Sequence, residues 1–139
     1  MRVAVVFFPL NQKIKFTDLV KAFIRGIESN GHQVDLFNGM VAVGKRLTIY
    51  NYIILCSEVD GLFGKIPGKV DLFLKDAGNL IGKKCSAFVL KNILGTEKAL
   101  LRLMKKMEQE GMYILNSNVF VKPDDAEEIG KKLNIQIQN

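Results

Sequence analysis

Between the apolar run Arg2 to Phe8 and an amphipathic stretch beginning near Phe16 lies the segment PLNQKIKFT, Pro9 to Thr17. After Pro9 it carries Asn11, Gln12, Lys13, Lys15 and Thr17, a set of donors that includes two ammonium groups and one hydroxyl. Where a strand hands over to a helix, such a set suits an anion, because backbone N–H groups and the helix dipole face it and a lysine adds a point charge. Two further runs hold comparable groups. SEVDGLFGK, Ser57 to Lys65, offers Asp60, Leu62, Phe63, Gly64 and Lys65, an aromatic face beside a glycine turn and a cation. KNILGT, Lys91 to Thr96, offers Lys91 and Asn92.

These three runs matter only if the elements around them bring them together. RVAVVFF (2–8), YIILCS (52–57) and KCSAFVL (84–90) are apolar almost throughout, the pattern of strands covered on both faces. HQVDLF (32–37) alternates polar and apolar residues, as a half-exposed edge strand does, and MYILN (112–116) is a short fifth strand at the other edge. Helical spacing of apolar residues follows four of them. Thr17 is expected to cap the first helix and Asn30-Gly31 to close it; Pro67 opens the second, Thr96 caps the third and Gly111 ends it, and Pro123 to Leu133 forms the last. Segment 38–51 is too short and too glycine-bearing for a long helix, so the second crossover is expected as turn or coil.

Strands alternating with helices predict an α/β three-layer sandwich on a five-stranded parallel sheet, and central strands 1, 3 and 4 predict the order 2-1-3-4-5. In such a sheet ligands bind beyond the carboxyl ends of the strands, where the order reverses. That end holds all three runs above. It excludes His32, the single histidine, which begins the second strand at the opposite end. Cys56 ends one central strand and Cys85 begins its neighbour, so they are expected as separate thiols. No Cys/His/Asp cluster has metal-ligand spacing, and no serine nucleophile comes with a histidine at the ligand end, which argues against hydrolase and metalloenzyme chemistry.

At 139 residues and 48% apolar content the chain is expected to form a single domain with its own core. The first apolar run is too short for a membrane span and lacks a cleavage site, so a cytoplasmic location is the expectation. A formal charge of +6 points to an anionic partner. Nucleic acid is not expected, because Lys105-Lys106 stands beside Glu108 and Glu110 and no aromatic platform accompanies the basic residues.

Three stretches, IRGIESNGHQVDLF (24–37), YNYIILCS with FGKIPGKVDLFLKD (50–57 and 63–76), and IGKKCSAFVL with GTEKALLRLMKKMEQEGMYIL (81–90 and 95–115), resemble the flavodoxin-like family, including its FMN-dependent quinone and FMN reductase members. FGKIPGKVDLFLKD carries the most specific likeness, and PDDAEEIGKKL resembles the family's last helix. The resemblance implies FMN, its phosphate on the first loop and its ring flanked by the second. Phe63 would then lie against the ring, with the N–H groups of Leu62 to Gly64 at its polar edge and close backbone approach at Gly64. The bland role for Phe63 is a helix-entry staple.

All three loops depart from the family pattern. PLNQKIKFT lacks the glycine and first two hydroxyls of the usual phosphate run and keeps Thr17, so Lys13 and Lys15 either replace that chemistry or mark its loss. Glu58, Val59 and Asp60 stand where the family more often has Ser-Pro-Thr and an aromatic, and Lys91 to Leu94 replace a glycine-rich turn.

Two functions follow from the resemblance. One is an FMN protein for electron transfer or an NAD(P)H-dependent reductase, with a redox partner protein and a possible homodimer. Family carriers are usually acidic, so the basic charge favours a reductase or a different partner. The other is a degenerate, flavin-free domain acting as a binding or regulatory module for a protein or for another, smaller anion held at Lys13, Lys15, Lys65 and Lys91.

Overall fold

The computed structural model describes residues 1–10, 14–42, 44–133 and 135. In chain order the elements are β1 (Arg2–Phe8), α1 (Ile14–Glu28), β2 (Gln33–Asn38), β3 (Tyr52–Ser57), α2 (Lys69–Lys75), β4 (Lys84–Leu90), α3 (Thr96–Gln109), β5 (Tyr113–Phe120) and α4 (Pro123–Lys132). The strands form one sheet in the order β2-β1-β3-β4-β5, and every neighbouring pair is parallel. This is the expected topology. No described helix is long and apolar enough to cross a membrane.

The apolar runs become central strands because alternate side chains feed two separate cores. Ala4, Val6, Phe8, Ile53, Leu55, Ala87 and Val89 face α2 and α3, where they pack with Val70, Phe73, Leu74, Leu103 and Met107. Val3, Val5, Phe7, Tyr52, Ile54, Cys56 and Phe88 face the other way, onto Phe16, Val20, Phe23 and Ile27 of α1 and Ala126 of α4. Between β2 and β3 no described residue is helical, as expected for the shortened crossover. Tyr50 and Leu47 fill that side instead, both buried.

Three local expectations need correction. The first helix begins at Ile14, so Thr17 lies inside it and does not cap it. The cause is Phe16, which is fully buried against Phe7 with ring centroids 6.1 Å apart and draws the chain into the helix before Thr17. Thr96 likewise is the first residue of α3; the residue before it, Gly95, takes the capping position at φ 80°.

The third correction concerns β5, which runs to Phe120 and does not stop at Asn116. Asn116, Ser117 and Asn118 read as turn formers, yet they pair with Ser86, Ala87 and Phe88 after a register shift between Cys85 and Ser86. Phe120 anchors the extension by stacking on Phe88, with centroids 4.9 Å apart and planes 7° from parallel.

Candidate functional site

At the carboxyl edge of the sheet the chain leaves β1, β3 and β4 through the three loops that hold the candidate residues. The loop after β3 is a tight hairpin. Asp60 N–H donates to the Lys65 carbonyl at 2.7 Å, and Gly61 and Gly64 turn the chain at φ 72° and 74°. The loop after β4 is fastened to it: the Asn92 side-chain amide donates to the Gly61 carbonyl at 2.7 Å and to the Leu94 carbonyl at 3.0 Å. Asn92 itself is held because its N–H donates to Thr96 Oγ1 at 2.9 Å and that hydroxyl donates back to the Asn92 carbonyl at 3.1 Å. Arg102 Nη1, reaching from α3, donates to the Phe63 carbonyl at 3.1 Å.

This frame presents apolar side chains to solvent. Phe63 is 78% exposed and Ile93 88% exposed, with Leu62 and Leu94 also exposed. Phe63 therefore is not a helix-entry staple, since a staple would be buried against α2. Between the two loops opens a cleft of about 260 Å³, lined by Glu58, Val59, Gly61, Leu62, Leu90, Lys91 and Asn92. Lys91 is exposed, and its N–H donates to the Phe120 carbonyl at 2.8 Å.

Gly64 has a packing reason to be glycine. An added Cβ there would lie 2.4 Å from Lys98 Cβ and 3.0 Å from the Gly95 carbonyl oxygen, so its vacant side faces α3. Lys65 is not grouped with Lys91: it lines a separate groove of about 390 Å³ with Ile66, Arg102, Lys105, Lys106 and Gln109. Of the proposed joint anion set, Lys65 and Lys91 thus line different pockets.

In the first loop, Pro9 is half-buried, Lys15 is exposed on the first turn of α1, and Thr17 is half-buried. Asn11, Gln12 and Lys13 lie outside the described residues. The residue that sequence reasoning left out of the site is Glu58. It is only 5% exposed, and its Oε2 accepts the Leu10 N–H at 2.7 Å, linking the loops after β1 and β3. The available signal was an acidic residue placed directly after the fully apolar strand YIILCS, where an acid is buried only if a donor meets it.

Neither thiol is poised for chemistry. Cys56 and Cys85 are free and buried, and they face opposite cores. Burial pushes the Cys56 thiol far above its usual range and, with the nearby Glu108 charge, pushes Cys85 up to about 12. His32 lies at the other end of the sheet, where burial and the chain's N-terminal ammonium lower its pKa. Among the described residues no group of three or more His, Cys, Asp or Glu side chains could hold a metal ion.

The whole-chain architecture matches solved structures closely in shape and weakly in sequence. Flavodoxin 1 from Bacillus cereus superposes with a TM-score of 0.76 at 17% identity, over 96% of this chain and 100% of that one. A flavodoxin from the domain Archaea gives 0.74 at 20% identity, over 94% of each chain. NAD(P)H:quinone oxidoreductase from Methanothermobacter marburgensis gives 0.71 at 11% identity, over 100% of this chain and 98% of that one. No protein-family profile matches the chain, and no curated protein matches it by sequence. The class is therefore that of doubly wound α/β proteins with a five-stranded parallel sheet. Within it the chain has the flavodoxin-like fold.

Proposed function

We propose that this protein binds a flavin, FMN being the form the fold implies, in the crevice between the loops after β3 and β4, and transfers electrons through it. The observation that carries the proposal is the cross-braced pair of loops. Asn92 and Arg102 brace them while Leu62 lines the cleft and Phe63, Ile93 and Leu94 stand exposed on the same two loops, an uncommon surface for a chain to leave uncovered. A planar ring with one apolar face and one polar edge fits such a place.

The residues fit the two halves of FMN unequally. Phe63 and Leu62 would cover the ring, and the loop N–H groups would meet its polar edge. The described part of the first loop is less suited to a phosphate, because the Leu10 N–H already serves the Glu58 carboxylate. When bound, the flavin supplies the one- and two-electron chemistry; the protein contributes position, exclusion of water and electrostatics. The groove of Lys65, Arg102, Lys105 and Lys106 lies beside the Phe63 turn and suits an acidic redox partner or the phosphates of a nicotinamide nucleotide.

The contact between Glu58 and Leu10 also favours a second reading, a flavodoxin-like binding module that holds no flavin. The experiment that separates them is purification under native conditions, followed by a visible absorbance spectrum and titration of the apoprotein with FMN and riboflavin. Saturable quenching of flavin fluorescence is expected. Failure to bind either flavin would leave the flavin-free module as the better account.

A further inference from the structure

We infer that Glu58 determines which anions the crevice accepts: it is an internal anion that competes with a flavin's terminal phosphate for the Leu10 N–H. The inference rests on the flavin reading above and assigns the selectivity of that site. Glu58 follows β3 directly and crosses the point where the strand order reverses to accept the Leu10 N–H at 2.7 Å. Its own N–H donates to the Phe8 carbonyl at 3.3 Å, so both backbone and side chain are tied to the segment leaving β1. At 5% exposure the carboxylate has lost most of its hydration, and the Leu10 N–H replaces part of it.

A competition follows. The N–H groups between a first strand and its helix are where an anionic ligand group finds donors in this kind of sheet. Here a carboxylate of the chain already occupies one of them. A phosphate that takes that N–H leaves Glu58 buried without its donor and stands beside a like charge where screening is weak. A flavin that ends in a hydroxyl meets neither penalty. The wild-type crevice thus gains little from a phosphate, and neutralising Glu58 favours the phosphorylated ligand selectively.

The test compares wild type, Glu58→Gln and Glu58→Ala. FMN and riboflavin affinities are measured by fluorescence quenching, and thermal midpoints of the flavin-free proteins are recorded with and without inorganic phosphate. Wild type is expected to bind the two flavins within about threefold of each other. Glu58→Gln should tighten FMN by about tenfold or more and leave riboflavin within about twofold. Phosphate should raise the melting temperature of Glu58→Gln more than that of wild type.

A wild type that prefers FMN by more than tenfold, or a Glu58→Gln that shifts both flavins alike, overturns the role of Glu58 and leaves the flavin reading intact. Binding of neither flavin overturns the flavin reading, and the phosphate arm then decides Glu58 alone: equal response of variant and wild type rejects it. If Glu58→Gln loses its cooperative melt, Glu58→Ala carries the same comparison.

Discussion

Gly64 and Gly95 meet backbone to backbone: a Cβ built on Gly95 would lie 2.4 Å from the Gly64 nitrogen, and one built on Gly64 would lie 3.0 Å from the Gly95 oxygen. Both residues also sit at positive φ, 74° and 80°, where a side chain is strained by about 1–2 kcal/mol before any contact is counted. Gly64→Ala and Gly95→Ala are each expected to destabilise the protein by at least that amount, as measured by urea unfolding. Each would also push the hairpin off α3. Loss of ligand in Gly64→Ala would therefore report displacement of the loop and not contact between Gly64 and a ring.

Phe63 is the cleaner probe of the crevice. At 78% exposure its removal costs the fold almost nothing, so Phe63→Ala should melt within about 0.5 kcal/mol of wild type. A contact with a ring in the proposed crevice would be worth about 0.5–1.5 kcal/mol, so Phe63→Ala is expected to weaken flavin binding roughly twofold to tenfold. Unchanged flavin binding in this variant would move the ring away from the hairpin.

Tyr50 makes stability depend on alkaline pH. Its hydroxyl donates to Asp35 Oδ2 at 2.6 Å, and burial, followed by that hydrogen bond, pushes its pKa up to about 12. The fold favours the neutral phenol, so the contribution is complete below the unfolded value near 10 and is lost as pH rises through the folded value. Denaturant midpoints of wild type should fall between about pH 10 and pH 12 more steeply than those of Tyr50→Phe. At neutral pH the same variant should be less stable by about 0.5–1.5 kcal/mol, the worth of the lost hydrogen bond.

The cysteines should be silent in the native protein. Both are fully buried and both thiols are displaced upward, so the reactive thiolate is scarce at neutral pH. A thiol-reactive dye at pH 8 should label neither within the time it labels both in denaturant. Rapid native labelling of Cys56 would show that the carboxyl edge of the sheet opens in solution.

Much of the fold was legible in the residues taken in order. The three runs RVAVVFF, YIILCS and KCSAFVL begin and end where β1, β3 and β4 do, because a strand buried on both faces must be apolar at consecutive positions. The alternation in HQVDLF marked an edge for the same reason, and centre against edge was enough for the order β2-β1-β3-β4-β5. The position of His32 and the separation of the thiols followed from that order.

What the tertiary structure alone decided are contacts between residues far apart in the chain, each too individual to leave a local pattern. Asn116 to Asn118 look like a turn until Phe120 finds Phe88. Gly26 and Gly130 look like weak points in two helices, yet a Cβ on Gly26 would lie 2.2 Å from the Glu127 oxygen, so the glycines are what let α1 and α4 touch. Glu58 reads as one exposed acid in a polar loop, and only the adjacency of β1 and β3 turns it inward to the Leu10 N–H, 48 residues away. Composition and period report how much surface a segment must bury; which donor meets which acceptor depends on the packed positions of whole elements.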